Sequence, residues 1–329
     1  MNMKRRLPFL LSLLVATQLA AKDPLPLIFD TDMGNDIDDA MALAMIHQFE
    51  RRGLCKLLAV TSTKDHPLSA AHIDAINTFY RRPDVPIGAV RDGVAPELGK
   101  FLGITKKYPH DLKTGADAPE AVSLLRKTLA AQEDHSVTIV QVGFFTNCAR
   151  LIESKPDQHS PLDGVALIQK KVKQLVIMAG AFQTIGDETR YLEYNAKLDV
   201  PATKLLAERW PGQVVWSGFE IGNAAHYPWK SIEEDFGYTD RHIVREGYLA
   251  FGDQNRPTWD LSAVLYAVHP ERGYFNLSSP GEVKVADDGA TDFQPNGNKR
   301  HRYLKMDTVQ TARVREAYVQ LVSEPPANK

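Results

Sequence analysis

The sequence predicts a single-domain α/β protein with an open, mostly parallel, Rossmann-like sheet and helices on both faces. Short apolar runs typical of buried strands alternate with segments whose apolar residues recur at helical spacing. That alternation favours parallel strands joined by crossover helices. The chain has 329 residues and is 43% hydrophobic, which is enough for one large core, and no Gly/Ser-rich linker or internal repeat divides it.

The predicted elements follow one another along the chain. A strand at 25–29 ends in a group of carboxylates, and Asp38 and Asp39 then lie at the start of a helix, where negative charge suits the helix dipole. Further strands are predicted at 57–60, 86–90, 137–142, 174–179 and 213–216. Helices are predicted at 40–49, 70–80, 118–131, 147–153, 201–208, 242–250, 261–268 and 308–322, with short strands and turns at 274–293.

Charge and cysteine content exclude several classes of protein. The 39 basic and 41 acidic residues give a net charge of −2, so there is no basic surplus to neutralise nucleic-acid phosphates. The two cysteines, Cys55 and Cys148, are too few for a disulfide scaffold or a cysteine-rich metal site. We expect two buried free thiols, with a disulfide as the alternative in an exported protein.

The first 21 residues predict a secretory signal peptide. A basic start at 4–6 precedes an apolar run at 7–16, and small residues follow up to Ala21. The apolar run is shorter than the ~20 residues that a membrane span needs. We therefore expect cleavage near Ala21, one mature domain over 22–329 without a membrane span, and a periplasmic or secreted protein.

Five carboxylates crowd the predicted turn between the first strand and the first helix. They are Asp30, Asp32, Asp36, Asp38 and Asp39. Open parallel sheets bind ligands at the carboxyl ends of their strands, which is where this turn lies. Like charges repel at such density unless a cation neutralises them, and Ca²⁺ accepts several carboxylate and carbonyl oxygens. The alternative is that Asn35 or Asp36 caps the helix and the other carboxylates are solvated.

This motif and three later segments resemble one enzyme family. From Asp30 the chain reads DTDMGNDIDDAMAL, which resembles the Asp-x-Asp-Pro-Gly-x-Asp-Asp-Ala motif of the calcium-dependent, inosine–uridine preferring nucleoside hydrolases. Met33 replaces the proline, and two extra residues separate Gly34 from the Asp-Asp pair. Later family motifs are resembled, in order, by Phe145-Thr146-Asn147, Glu193-Tyr194-Asn195 and Trp259-Asp260.

The resemblance implies a reaction, a cofactor and a role for each matching residue. The reaction is hydrolysis of the N-glycosidic bond of ribonucleosides to ribose and free base, with Ca²⁺ as cofactor and a nucleoside as the small-molecule partner. Asp32 is implied as a metal ligand and as the general base that takes the proton of the attacking water. The other implied metal ligands are Asp39, the backbone carbonyl of Thr146 and Asp260, and the implied ribose contacts are Asp38, Glu193 and Asn195.

Trp259 bears on the base of the substrate. In the purine-preferring subgroup of the family a tryptophan at this position stacks on the base, so the resemblance implies a preference for purine nucleosides. The alternative is a tryptophan of the core. The two extra residues of the opening motif leave open whether Asp36 or Asp38 contacts the sugar.

Other functions remain as alternatives. One is hydrolysis of another N-ribosyl or ribose-like compound on the same scaffold, and another is calcium-dependent sugar binding without catalysis. An aspartate-nucleophile phosphatase, with its covalent intermediate at Asp30, has less support because the later motifs of that family are missing. The resemblance is also compatible with a homodimer or a homotetramer.

Overall fold

The computed structural model describes residues 23–326. The predicted signal peptide at 1–21 lies outside the described residues. Within the described range, no helix is both long enough and apolar enough to cross a bilayer.

Strands and helices alternate along the described chain. The strands are β1 (Leu25–Thr31), β2 (Cys55–Lys64), β3 (Ile87–Val94), β4 (Val137–Gln141), β5 (Val172–Met178), β6 (Val214–Ser217), β7 (His226–Tyr227), β8 (Arg256–Pro257), β9 (Asn276–Leu277), β10 (Glu282–Val285), β11 (Thr291–Gln294) and β12 (His301–Lys305). The helices are α1 (Asp38–Arg51), α2 (Pro67–Phe79), α3 (Ala121–Ala130), α4 (Thr146–Glu153), α5 (Gly164–Lys171), α6 (Tyr194–Leu198), α7 (Val200–Arg209), α8 (Phe219–Ala224), α9 (Trp229–Glu234), α10 (Ile243–Phe251), α11 (Asp260–Val268) and α12 (Thr308–Val322). Two 3₁₀ helices occupy Leu102–Lys107 and Gly115–Asp117.

Eight strands form one open sheet in the order β3-β2-β1-β4-β5-β6-β12-β9. Every neighbouring pair is parallel except β12 and β9, which are antiparallel. The predicted fold class is therefore confirmed. The strand order reverses beside β1, because β2 and β3 lie on one side of it and β4 to β6 on the other. Such a reversal opens a crevice at the carboxyl ends of the two central strands, where α/β proteins bind their ligands.

Alternate residues of β1 face two separate cores. Leu27 and Phe29 pack in a core that includes residues of α1, α11 and α12. Ile28 packs in a second core with residues of α3, α4, α5 and α7. Both faces of the sheet are thus covered by helices, which explains why the central strands read as nearly continuous apolar runs. A sheet buried on both sides gives the residues at its carboxyl edge a rigid base.

The sequence predictions missed several elements: the helices α5, α6, α8 and α9 and the strands β7, β8 and β12. Helix α5 and strand β12 show why. Helix α5 begins after Asp163, whose side chain accepts a hydrogen bond from the backbone N–H of Ala166 at 2.8 Å, and it continues into β5 without a turn residue. Strand β12 reads HRYLK and is only partly buried, so it lacks the apolar run that identified the central strands. Cys55 and Cys148 are buried free thiols, as expected.

Candidate active site

A cavity of about 350 Å³ opens at the carboxyl edge of the sheet, at the reversal of strand order. It is lined by Asp32, Asn35, Asp36, Asp38, Asp39, Val142, Met178, Glu193, Tyr194, Asn195, Phe219, Phe251, Arg256, Trp259 and Asp260. Seven of the eight predicted site residues are among them, and Thr146 is the exception. Segments that lie far apart in the sequence therefore converge on one cavity, as the resemblance implied.

Four buried aspartates, Asp32, Asp38, Asp39 and Asp260, form what we call the carboxylate cluster. Ligand oxygens of Asp38, Asp39 and Asp260 all lie within 4.8 Å of one another. Asp38 and Asp39 are the first two residues of α1, and Asp260 is the first residue of α11. Negative charge is stabilised at both helix N-termini. One Asp38 oxygen also accepts the backbone N–H groups of Trp259 at 2.8 Å and Asp260 at 3.2 Å, which ties α1 to α11.

The carboxylate cluster combines burial with mutual repulsion of like charges, and a bound cation would relieve both. Burial raises the pKa of Asp38, Asp39 and Asp260 well above the ordinary range, and the charges of neighbouring aspartates raise them further. Burial also raises the pKa of Asp32 to about 6, against the hydrogen bond from Asn35. A purely oxygen-donating, strongly anionic set of side chains suits a hard divalent cation such as Ca²⁺ or Mg²⁺. The residues present therefore fit a divalent metal ion.

Asp32 is held by two residues that the sequence reasoning did not identify. Asn35 Nδ2 donates to Asp32 Oδ2 at 2.6 Å, and Asn35 Oδ1 accepts from Lys64 Nζ at 2.6 Å. The Lys64 side chain is fully buried. A lysine at the carboxyl end of a mostly buried strand was the available signal, because buried lysines need a partner.

Asp30 lies behind the cavity and does not line it. It accepts hydrogen bonds from Thr61 Oγ1 at 2.6 Å and Asn147 Nδ2 at 2.8 Å. Burial raises its pKa to about 7. Asp30 thus joins β1 to β2 and α4, a structural position that does not suit the nucleophile of an aspartate-dependent phosphatase.

Glu193 and Asn195 line the cavity wall next to β5. Glu193 accepts backbone N–H groups from Gly180 at 3.0 Å, Asn195 at 2.9 Å and Ala196 at 3.0 Å, and burial raises its pKa to about 7. Asn195 Nδ2 donates to the carbonyls of Val142 at 2.8 Å and Met178 at 3.1 Å. Since both amide protons are used, the Asn195 oxygen is the atom left to accept a ligand hydroxyl.

Four aromatic residues line the outer part of the cavity, and we call them the aromatic rim. They are Tyr194, Phe219, Phe251 and Trp259. Trp259 is partly exposed, and its indole Nε1 donates to the carbonyl of Phe219 at 3.0 Å. The Trp259 ring lies 5.3 Å from the Phe219 ring at an interplanar angle of 33°. Trp259 is therefore a fixed wall of the cavity and not a residue of the core interior.

Asp36 forms a salt bridge with Arg256 at the cavity. Arg256 Nε donates to Asp36 Oδ1 at 2.8 Å, and a second guanidinium nitrogen contacts the other oxygen. The Arg256 guanidinium also lies 4.0 Å from the centre of the Phe251 ring. Of the two candidates for the sugar contact, Asp38 belongs to the carboxylate cluster, whereas Asp36 is occupied by Arg256.

Thr146 lies at the start of α4, just after β4, and its hydroxyl donates to Asp199. Thr146 does not line the cavity, and its implied role as a carbonyl ligand is not supported by the residues gathered there. That role stays a prediction.

Fold and site together define an α/β enzyme with a buried acidic centre, a wall of hydrogen-bonding groups and an aromatic rim. The family model for inosine-uridine preferring nucleoside hydrolases matches residues 27–317 of the chain. The chain belongs to this family and is a nucleoside hydrolase, an enzyme that cleaves the N-glycosidic bond of ribonucleosides.

Relatives and solved structures agree with this assignment. The pyrimidine-specific ribonucleoside hydrolase RihA of Salmonella paratyphi B is 27% identical over 233 residues, which cover 68% of this chain and 70% of RihA. The plant nucleoside hydrolase PpNRh1 is 21% identical with a TM-score of 0.72, and the match covers 92% of this chain and 100% of PpNRh1. A purine-preferring ribonucleoside hydrolase from Gardnerella vaginalis is 16% identical with a TM-score of 0.69, covering 91% and 99% of the two chains. The two structures establish the shared fold, and the base preferences in the names of RihA and the Gardnerella enzyme differ.

Proposed function

We propose that this nucleoside hydrolase uses a Ca²⁺-held water activated by Asp32, and that it prefers purine nucleosides. The observation that carries the proposal is the convergence of Asp32, Glu193, Asn195 and Trp259 on a single cavity beside the carboxylate cluster. Hydrolysis of a nucleoside requires a general base, groups that face the sugar and a surface on which the nucleobase stacks.

The carboxylate cluster would hold the metal ion through Asp32, Asp39 and Asp260. Bound there, Ca²⁺ would polarise the attacking water and ligate sugar hydroxyls. The all-oxygen donor set and the raised pKa values of the buried carboxyls support this role, since a divalent cation relieves both their desolvation and their mutual repulsion.

Asp32 is the proposed general base. It lines the cavity, and burial raises the pKa of its carboxyl to about 6 while no cation is bound. A cation at the carboxylate cluster would favour the ionised form that a general base requires. One oxygen is occupied by Asn35, which leaves the other to accept a proton from water.

Asp38, Glu193 and Asn195 are the proposed ribose contacts. Cleavage of the C–N bond passes through an oxocarbenium-like state, which negative charge stabilises. The carboxylates around the cavity supply that charge, and their hydrogen bonds to backbone N–H groups fix them before substrate binds. A substrate without one of the ribose hydroxyls would leave buried groups unpaired, which disfavours deoxyribonucleosides.

Trp259 is the proposed stacking surface for the base. No histidine occurs among the residues that line the cavity, so none of them offers an imidazole to protonate the departing base. Stacking on an indole contributes about 1–3 kcal/mol per base and increases with the area of the base, which favours purines.

The test is ribose release, measured as reducing sugar, from inosine, adenosine, guanosine, uridine and cytidine, with and without a calcium chelator. We expect chelator-sensitive release that is faster from the purine nucleosides and is restored by added Ca²⁺. Faster release from uridine and cytidine would contradict the purine preference alone. Release that survives the chelator would contradict the metal, and Ca²⁺-dependent binding of nucleosides without release would contradict catalysis.

A further inference from the structure

We propose that Asn35 and Lys64 form a positioning pair that fixes the Asp32 carboxylate for its reaction with water. The inference rests on the proposed function of Asp32. Neither residue belongs to the matched motif positions, and Asn35 lies in the three-residue segment between Gly34 and the Asp-Asp pair, which is two residues longer than in the family motif.

The contacts of Lys64 locate a positive charge close to the carboxylate cluster without joining it directly. Lys64 Nζ donates to Asn35 Oδ1 at 2.6 Å and to the carbonyl of Ala95 at 2.8 Å, and Glu97 lies 3.6 Å away. The Lys64 side chain is fully buried, whereas the Glu97 side chain is 60% exposed. Because burying an ammonium group is costly, Lys64 is held by partners that satisfy it, and Asn35 is the nearest of them.

The chemistry of lysine determines how the Asn35 amide is oriented. An ammonium group only donates hydrogen bonds, so the amide oxygen must face Lys64. The amide nitrogen then faces Asp32 Oδ2, where it donates at 2.6 Å. The usual ambiguity of an asparagine side chain is thus removed, and Asp32 always meets a donor on that side.

The Asn35 amide lies between Lys64 and Asp32. A lysine in direct contact would form an ion pair and compete with water and metal for the carboxylate oxygens. Through Asn35, the lysine instead fixes one oxygen of Asp32 and leaves the second one available. Outer residues that orient a metal-binding or catalytic side chain in this way commonly affect affinity and rate.

The turn that carries Asn35 is itself held in place. The Asn35 backbone N–H donates to the Asp32 carbonyl at 3.2 Å, and Ser69 Oγ donates to the carbonyl of Met33 at 2.8 Å. Gly34 adopts a φ of +121°, which a residue with a side chain rarely reaches. The inserted turn therefore presents Asn35 to Asp32 in a defined geometry.

The experiment compares four single variants with the wild-type chain. Asn35→Ala removes both contacts, Asn35→Asp keeps an acceptor for Lys64 but removes the donor to Asp32, and Lys64→Met removes the charge. Glu97→Gln is the matched control, because it neutralises the other side-chain partner of Lys64 and leaves Asn35 in place. For each chain we would measure kcat and KM for inosine, Ca²⁺ affinity of the substrate-free protein by calorimetry, and the melting temperature.

We expect Asn35→Ala, Asn35→Asp and Lys64→Met to lower kcat about 10- to 100-fold with a smaller change in KM, and to weaken Ca²⁺ binding over a similar range. Glu97→Gln should change neither quantity, because Glu97 is 60% exposed and the contacts of Asn35 with Lys64 and Asp32 remain. The double variant of Asn35→Ala and Lys64→Met should be no worse than the poorer single variant, because the two residues act on Asp32 as one unit.

Wild-type kcat and Ca²⁺ affinity in both Asn35 variants would overturn the inference, and so would additive losses in the double variant. Asn35 is partly exposed, so its variants keep the test valid if Lys64→Met fails to fold. An inactive wild-type chain would instead contradict the proposed function, and the Ca²⁺ affinities would still test the positioning pair.

Discussion

The carboxylate cluster and the aromatic rim enclose the same cavity but are built in opposite ways. Each aspartate of the cluster is buried, and three of the four lie at the N-termini of two helices, α1 and α11. The rim residues are more exposed, come from separate segments and are connected largely through contacts between rings, such as that of Phe219 with Trp259. The fold fixes the carboxylate cluster, and the aromatic rim is added around it.

This difference separates two tasks of the enzyme. A rigid set of charges suits the bond that every substrate shares, whereas partly exposed residues at the ends of short elements can vary with less effect on the fold. Substitutions in the carboxylate cluster should therefore lower activity on all nucleosides alike. Substitutions in the aromatic rim should change the ratio between purine and pyrimidine nucleosides.

The largest effect is expected for Asp32→Asn. Loss of the base should lower kcat about 10²- to 10⁴-fold for inosine and uridine equally, because the proton transfer does not involve the leaving base. Steady-state kinetics on both nucleosides measures the loss, and the melting temperature reports whether the fold survives. Asp36→Asn is the matched control, since this aspartate of the same motif faces Arg256 and should matter much less. Turnover near the wild-type rate in Asp32→Asn would exclude Asp32 as the base.

The next effect is expected for Trp259→Ala. Removal of the stacking surface should lower kcat/KM for inosine about tenfold or more, from the ~1–3 kcal/mol of an aromatic–base stack, and should affect uridine less. The measurement is the inosine-to-uridine ratio of kcat/KM. Trp259→Phe retains a ring and should keep part of the ratio. An equal loss for both nucleosides would show that Trp259 supports the cavity without discriminating between bases.

A smaller fall in the inosine-to-uridine ratio of kcat/KM is expected for Gly222→Ala. A Cβ atom at Gly222 would lie 2.2 Å from Trp259 Cδ1 and 2.5 Å from its Cα, so both the indole and the backbone of Trp259 must move. The ratio of inosine to uridine activity should fall, but by less than in Trp259→Ala because the ring is still present. Gly103→Ala is the control, since no atom lies within 4 Å of its added Cβ. An unchanged ratio in Gly222→Ala would mean that the orientation of Trp259 does not set the base preference.

The same contrast explains what the sequence could predict. Asp32, Asp38 and Asp39 lie in one short segment after a buried strand, so their common location followed from strand periodicity and the rule for ligand sites in parallel sheets. Glu193 and Trp259 were placed by their resemblance to family motifs, and the structure brings both to the cavity.

Contacts between residues that are far apart in the sequence could not be predicted in this way. Asn35 and Lys64 are 29 residues apart, and Asp36 and Arg256 are 220 residues apart. No periodic pattern relates such positions, because each pair joins the turn after β1 to a residue of another strand, Lys64 of β2 or Arg256 of β8. The longer segment after Gly34 looked like an irregularity of the motif in the sequence, whereas in the structure its residues Asn35 and Asp36 both have side-chain partners at the cavity.

The smallest effect on turnover, but a clear effect on stability, is expected for Glu220→Gln. Burial raises the pKa of Glu220 from 4.5 to about 7, and one of its oxygens has no partner among the described residues. The native state therefore binds more protons than the unfolded state between pH 4.5 and 7, and the free energy of unfolding falls as the pH rises through this window. Glutamine removes this penalty, so the variant should gain on the order of 2 kcal/mol over wild type at pH 8 and much less at pH 5. Urea unfolding at both pH values measures the difference.

Glu220 does not line the cavity, so the gain should be the same with Ca²⁺ and with a chelator, unlike any pH dependence of the carboxylate cluster. A gain that vanishes when Ca²⁺ is added would place Glu220 in the electrostatic field of the metal site.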